Sequence, residues 1–488
     1  MKVLAFDFGA SSGRAIIIEK NSGKLELTEV HRFNNDVVEI NGTIYWDVLR
    51  LFYEIKQGIL KASREHEFDA IGIDTWGVDF GLIDKNGNLI GNPVNYRDLR
   101  TEKMPEYVFS KISKDDIYKK TGIQFMRINT LYQLAYLAKE QPEIMDMTEK
   151  ILFMPDLFAY FLTGEMRMEE TIASTSNIVD PRTKEIDKEL MEKIGISKDI
   201  FCKPIEPGEI YGTLKPELAK ELNCKEVPVV AVATHDTASA IVAVPSAVKD
   251  FVYVSCGTWS LFGTENEVPV INEQSSEANY TNEGGFGKTT RFLKNIMGLW
   301  IFQETCRQWQ REGKTIDYKE IDKAAMEAEP FKCLIDPDYP EFETPGNIPE
   351  RIREYAKKTN QPVPETDGEL VRTIYESLAL KYKYNFEKIK KLTGKNYEYI
   401  HMVGGGIKAK PICEFAASAC NVTVVAGPVE ATATGNGAVQ FMALNQIADL
   451  KEARKIVADS THIDEYKPQN PEKWDEVYEF YKKNILAE

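Results

Sequence analysis

A chain of 488 residues exceeds what one hydrophobic core sustains, about 250 to 300 residues, so two large lobes are expected. With 43% hydrophobic, 10% aromatic and 28% charged residues and no low-complexity run, the composition is that of a folded soluble protein and excludes long disordered stretches. The 76 acidic against 60 basic residues leave a formal net charge of -16, which repels polyanions and argues against nucleic acid or an anionic membrane as a partner, so any phosphate must be gripped locally.

The first residues, MKVLAFDFG, carry Lys2 but meet Asp7 before an apolar signal core can form. No apolar run reaches the roughly 18 residues of a membrane span, and a cytoplasmic protein is expected. Residues 3 to 18, VLAFDFGASSGRAIII, predict a strand, a tight Gly-Ala-Ser-Ser-Gly turn and a second strand. Residues 70 to 84, AIGIDTWGVDFGLID, predict strand, polar turn and strand, followed by the turn signal Asn86-Gly87. VPVVAVATHDTASAIVAV at 227 to 244 predicts a buried strand, a short turn and an Ala-rich helix. The stretch VPSAVKD at 244 to 250 marks the expected boundary, giving lobes 1-245 and 246-488.

FVYVSCGTWSLFGT at 251 to 264 then repeats the opening strand-turn-strand design, which predicts two lobes built on one plan. LVRTIYESLALKYKYNFEKIKKLTG predicts a long amphipathic helix that stops at Gly394 behind a Lys-rich last turn. A strand entering the turn Gly404-Gly405-Gly406 and the helix PICEFAASAC follow. The seven cysteines form no CxxC pair and are expected to be reduced core thiols. Five histidines without HExxH give zinc no ligand set.

The paired Gly/Ser/Thr turns carry the first chemical signal. Residues Ala10 to Arg14 and Thr258 would set backbone N–H groups and hydroxyls around a polyphosphate, with Arg14 as a cation and Asp7 placed to order a hydrated Mg²⁺; the alternative is two ordinary hairpins. The triple glycine permits close approach of a flat ligand such as adenine, or is a plain strand-to-helix connection. In THDTAS, Asp236 stands where a strand meets a helix, suited to be the general base for an alcohol; it or Thr237 could instead only cap that helix. EGGFGKTT at 283 to 290 imitates a P-loop but fails on spacing: the first glycine would fall on Asn282, the preceding stretch reads as polar loop, and Lys288 is expected to be a loop lysine.

The motifs AFDFGASSGR, HRFNN, IDTWGVDFGLID, GIQFMRINTLYQL, THDTASA, SCGTWSL, TNEGG, LKNIMGLWIFQE, VGGG and AGPVEAT, collinear from residue 5 to about 440, resemble the FGGY carbohydrate kinases and, within them, the rhamnulokinases. The resemblance implies an α/β fold of two duplicated lobes of the actin and ribonuclease H-like ATPase type around a central cleft. It implies an ATP-dependent kinase, with Mg²⁺, acting on O1 of L-rhamnulose, with sugar binding and catalytic base in the first lobe and nucleotide binding in the second. Matched motif by motif, the ATP contacts fall on Ala10, Ser11, Ser12, Gly13, Arg14, Thr258, Gln303 and Gly405. The sugar contacts fall on Gly77, His235, Asp236, Thr237 and Asn295, with Asp236 the proton acceptor.

Relatives acting on glycerol or xylulose usually carry a Lys and a Trp where this chain reads RINTLYQL, which favours the rhamnulokinase branch. The competing readings are another ketose or polyol kinase of the family, for L-fuculose or D-xylulose, and an actin-like ATPase without an acceptor. The last 50 or so residues match no motif and are assigned only packing.

Overall fold

The computed structural model describes residues 1–486. The chain forms two compact units, the first from Met1–Ala243, Glu265–Phe292 and Ala431–Ser460, the second from Val244–Thr264, Leu293–Glu430 and the chain from Thr461 on.

The first unit is built on a six-stranded sheet. Its strands are β1 (Lys2–Phe8), β2 (Ser12–Asn21), β3 (Lys24–Asn34), β4 (Ile71–Thr75), β5 (Ile210–Thr213) and β6 (Pro228–Val230), in the order β5-β6-β4-β1-β2-β3. β1 to β3 form an antiparallel meander, β4 and β6 add in parallel to β1, and β5 closes the edge antiparallel to β6. Val3 to Phe8 are buried without a break, which is what a strand covered on both faces requires.

One face carries α1 (Val48–Glu65), capped by Asp47, whose carboxylate accepts from Arg50 N–H at 3.1 Å. Its Val48, Leu51, Ile55 and Ile59 recur at helical spacing and share a core with Leu4, Phe6, Phe8, Ala15 and Ile17. On the sheet's other side lies α6 (Ala431–Ala443), where Gly437 meets Ile18 and Asn436 reaches Gly72. α2 (Asp236–Val242) packs on α6 so closely that a Cβ on Gly435 would stand 1.8 Å from Ser239 O.

The second unit repeats the plan. β7 (Val252–Cys256) pairs antiparallel with β8 (Trp259–Asn266) and parallel with β10 (Tyr399–Val403); β11 (Thr423–Ala426) adds in parallel and β12 (Asp464–Tyr466) antiparallel. With β9 (Thr290–Met297) the strands run in the order β9-β8-β7-β10-β11-β12, and Thr281–Gly284 adds a seventh strand beyond β9. The six labelled strands each have a counterpart in the first sheet, as the repeated hairpin motif predicts, and the seventh has none. α3 (Trp300–Arg311) follows β9. The long helix is α4 (Asp367–Thr393), opened by a Thr366/Glu369 capping box and ended by Gly394 at φ 68°. α5 (Lys410–Cys420) packs on it and carries the buried Cys413 and Cys420. All seven cysteines are unpaired and six are buried.

The strand, turn and strand expected over 70 to 84 are present as β4 and Phe80–Ile83, the latter pairing with Lys150–Phe153. One stretch differs from expectation. The polar run before EGGFGKTT is not loop: it holds the helix Glu273–Glu277 and the fully buried strand Thr281–Gly284. Its polar side chains are internally satisfied, Asn272 and Ser275 capping the helix and Asn282 bonding Gly122 O at 2.9 Å and Val270 N–H at 2.6 Å. No helix among the described residues is long and apolar enough to cross a membrane.

The α2–α6 contact gives opposed expectations for Gly435→Ala. Helix propensity alone would stabilise by about 1 kcal/mol, but the overlap with Ser239 O should destabilise by roughly 1–3 kcal/mol. A urea midpoint below wild type is therefore expected, and a higher one would show that the two helices separate without cost.

Candidate active site

The turn between β1 and β2 is held by Asn35, whose N–H donates to Ser11 O at 3.1 Å and whose Nδ2 donates to Gly9 O at 2.9 Å. That leaves Ser11 exposed and Ala10, Ser12 and Arg14 half-buried. Gly13 lies beneath, where a Cβ would meet the Phe33 ring at 2.2 Å. Asp7, at the end of β1, accepts from Arg14 Nη2 at 2.5 Å.

Strand register sets Asp7 directly beside Asp74 of β4. Asp74 is fully buried; its Oδ2 accepts from Asn436 Nδ2 at 2.6 Å, and its Oδ1 has no hydrogen-bond partner among the described residues. Burial first, then the negative charge of Asp7, pushes the Asp74 carboxyl well above the usual carboxylate range, opposed by the Asn436 bond.

β4 runs into the turn Trp76-Gly77-Val78-Asp79. Val78 takes φ 68°, a left-handed conformation that a β-branched residue adopts only under constraint. Thr175 Oγ1 accepts from its N–H at 3.1 Å, and Thr130 Oγ1 donates to its carbonyl at 2.6 Å. Beneath the turn lies Asp79, fully buried, with four donors around its carboxylate: Trp46 Nε1 at 2.6 Å, Trp76 Nε1 and Gln133 Nε2 at 3.0 Å, and Tyr96 N–H at 3.2 Å. The half-buried Gly77 packs on Thr175.

The segment Thr234 to Thr237 extends the same sheet edge, since Thr75 N–H donates to Thr234 O at 2.9 Å. This brings Gly77 and His235 to neighbouring strand ends. The buried Glu169 fixes the segment from below: it accepts from Thr234 N–H at 3.2 Å, from the Thr234 hydroxyl, and from Thr171 N–H at 2.9 Å, while Thr171 Oγ1 accepts from His235 N–H at 3.2 Å. His235 occupies the N-cap position of α2 without a side-chain capping bond. Asp236 is the first helical residue, and its Oδ1 accepts from Thr237 N–H at 2.5 Å and Thr237 Oγ1 at 3.1 Å.

The Asp236 side chain is 31% exposed. Burial of its carboxyl and the charge of Asp7 push its pKa up to about 7, against the pull of the Thr237 bonds and of Arg291. His235, in contrast, is held well below the usual imidazole range by burial and by Arg291. The result is a half-ionised carboxylate beside a neutral imidazole, a pair able to orient a hydroxyl and take its proton.

In the second unit, Thr258 forms the β7–β8 turn, and its Oγ1 donates to Gln303 Oε1 at 3.2 Å. Its carbonyl accepts from Gly298 N–H at 3.2 Å and Trp300 N–H at 3.1 Å, which sets the start of α3 on the turn. Gly404, at φ 92°, and Gly406 press on Cys256, where a Cβ on Gly406 would meet Sγ at 2.5 Å. Gly405 faces open space, with nothing within 4 Å of a built Cβ. Asn295 is half-buried on β9, three residues before Gly298.

Lys288 is 70% exposed and pairs with Glu206 at 3.0 Å. Sequence reading missed Asp74, Asp79, Glu169, Glu283, Arg291 and Asn436. One signal stood in plain view: Asn436 and Gln440 are spaced by four on a helix whose other residues are uncharged and mostly small.

Models for the N- and C-terminal domains of the FGGY family of carbohydrate kinases match residues 2–243 and 252–444. A rhamnulokinase of Bacteroides thetaiotaomicron is 42% identical over 479 residues, 98% of each chain. One of Halalkalibacterium halodurans is 41% identical over 465 residues, 95% of this chain and 98% of its own. The solved structure of a ligand-bound xylulose kinase from Lactobacillus acidophilus superposes with a TM-score of 0.82 at 17% identity, covering 100% of this chain and 98% of that one.

Asp79 gives a pH test. Burial raises its carboxyl to about 6 against the pull of its four donors. A group raised in the folded state contributes stability that is fully present below its unfolded pKa and lost as pH rises through the folded one. Asp79→Asn cannot titrate, so the Tm advantage of wild type over this variant should shrink between about pH 4 and pH 7. An advantage that stays constant or grows with pH would refute it.

Proposed function

The chain belongs to the FGGY family of carbohydrate kinases and has that family's two-domain α/β fold, and we propose that the sugar it phosphorylates with ATP is L-rhamnulose, at O1. The observation that carries the reading is Asp236: a partly exposed carboxylate at the start of α2, poised near neutrality between Thr237 and a neutral imidazole. The near-full-length likeness to rhamnulokinases supports the choice of acceptor.

In this reading the first lobe, 1–245, binds the sugar and supplies the base; the second, 246–488, binds nucleotide. Asp236 orients the sugar hydroxyl and takes its proton late, because the transition state of phosphoryl transfer is loose. Gly77, His235, Thr237 and Asn295 contact the sugar. The exposed β1–β2 turn, Ala10 to Arg14, offers N–H groups and hydroxyls to phosphate. Thr258, Gln303 and the open Gly405 hold the rest of the nucleotide.

The acidic strand ends fit a divalent ion. The charge of Asp7 raises the proton affinity of Asp74, and Asp74 Oδ1 lacks a partner among the described residues, both of which a nearby dication would relieve. Asp7, with Asp74 behind it, would hold Mg²⁺ through its water shell, where the ion supplies neutralisation of phosphate charge. A cytoplasmic site of action suits ATP as co-substrate and seven unpaired thiols.

The acceptor is tested by measuring ADP release over L-rhamnulose, L-fuculose, D-xylulose and polyols. L-rhamnulose should give the highest kcat/KM; a better acceptor would replace it, and acceptor-independent turnover of equal rate would remove the kinase reading.

The base is tested with Asp236→Asn, which should lower kcat by roughly 10² to 10⁴ while Tm stays close to wild type. Because the base must be ionised, wild-type kcat/KM should fall as pH drops through about 7. Asp236→Asn with wild-type turnover, and a stability loss confined to Asp236→Ala, would leave only a helix-capping role.

A further inference from the structure

We propose that Arg291 is a positioning residue for phosphoryl transfer: by donating to His235 Nδ1 it holds the imidazole in its neutral form, with the protonated Nε2 on the side of Asp236. The proposal rests on Asp236 being the base.

Arg291 is completely buried. Its Nε donates to Gly284 O at 2.9 Å, and its Nη2 lies 2.9 Å from His235 Nδ1 and 3.1 Å from Glu283 Oε2. A guanidinium has only N–H donors and does not deprotonate in proteins, so the nitrogen it meets must offer a lone pair. The single proton of the neutral ring then sits on Nε2, which lies 3.4 Å from Asp236 Oδ1. His235 is thereby excluded as the base, having no free lone pair, and sets the positive end of its N–H dipole near the Asp236 carboxylate, which favours the ionised form.

Glu283 shows why a cation is needed there. Its Oε2 is 3.5 Å from the same Nδ1 and only 5% of the residue is exposed. Without Arg291, this carboxylate would draw a proton onto Nδ1. The ring would then present a bare Nε2 to Asp236, or become imidazolium and compete for the negative charge the base must use. Arg291 neutralises Glu283 and occupies Nδ1 at once.

Stability gives no comparable reason for the charge. A buried ion pair is often replaceable by apolar side chains without loss, and Arg291 Nη1 has no hydrogen-bond partner among the described residues. The charged and titratable groups around His235 and Arg291 are Asp236 and Glu283, Asp7, Asp74 and Tyr96 through Asp236, Glu169 beneath Thr234, and Lys184, which feels Arg291.

The test is ring-¹⁵N NMR of histidine-labelled full-length protein, the His235 signal being assigned by its loss in His235→Gln. Wild type should show the neutral Nε2–H pattern, unchanged across about pH 5 to 8. Arg291→Met should shift the proton to Nδ1 or make the ring titrate within that range, and should lower kcat about tenfold or more with ATP KM unchanged. Arg291→Lys, which keeps a charged donor, should recover part of both.

An Nδ1–H or imidazolium ring in wild type overturns the proposal whether or not any variant folds. So does an Arg291→Met protein with the wild-type tautomer and turnover. The ring signal is read without substrate, so loss of the base reading through Asp236→Asn would leave the tautomer result standing, and the two failures are distinguishable.

Discussion

Holding the carboxylates of Asp7, Asp74 and Asp236 out of water within reach of one another's charge is the constraint from which the first unit's site follows. Parallel pairing sets Asp7 beside Asp74 on strands that run about 4.8 Å apart. Two full charges at that spacing would repel by about 3 kcal/mol at an effective dielectric of 20. The fold gives each carboxylate a different answer. Asp7 takes the Arg14 guanidinium; Asp74 takes an amide from Asn436 and is pushed toward its protonated form; Asp236 keeps some solvent access and lies near neutrality. Asp74 and Asp236 are thus set apart by their neighbours, and the one brought near neutrality is the one with the more solvent access.

The duplicated sheets show what the backbone plan fixes and what it leaves free. In both, the first strand turns sharply into an antiparallel partner while a parallel strand ends alongside. The first unit fills these positions with charge, Asp7 on one strand and Asp74 on the other. The second has no carboxylate there, pairing Ser255 with Val403, and sets small groups just beyond: Cys256 and Thr258 on the hairpin, Gly404 to Gly406 after β10. The close approach of Gly406 to Cys256 leaves no room for a side chain, while Gly405 beside it faces open space. One geometry therefore yields a charged edge suited to proton transfer and a bare edge suited to a flat ligand.

What was legible in the sequence is what is encoded locally. The two hairpins, the strand-to-helix passage at THDTAS and α4 with its end at Gly394 each depend on residues a few places apart, and all stand where the pattern put them. The polar groups that tune the site depend on distant partners. His235 and Arg291 are 56 residues apart, and Asp74 and Asn436 are 362 apart. No spacing rule connects such pairs. The run before EGGFGKTT misled for a related reason: its Asn282 looks solvated in sequence, yet it is buried because Gly122 and Val270 supply its partners, and Glu283 next to it is buried against Arg291. Polarity predicts exposure only when nothing in the fold answers it.

The division of labour between His235 and Asp236 follows from the same physics. An imidazole would be the obvious base near neutrality, but burial and the Arg291 charge make its protonation unfavourable, and its Nδ1 lone pair is already engaged. Asp236 at its ordinary acidity would be a weaker base by about a thousandfold than one at about 7. Burial acts on the two residues with opposite sign, since it penalises the positive imidazolium and the negative carboxylate alike. Placed side by side, they exchange roles: the histidine is confined to donating, and the aspartate gains the basicity the histidine loses. On the proposed reading of Asp236 as the base, the acceptor proton leaves late in a loose transition state, so a base of matched rather than maximal strength would suffice, and much of its work would be to hold the hydroxyl in line.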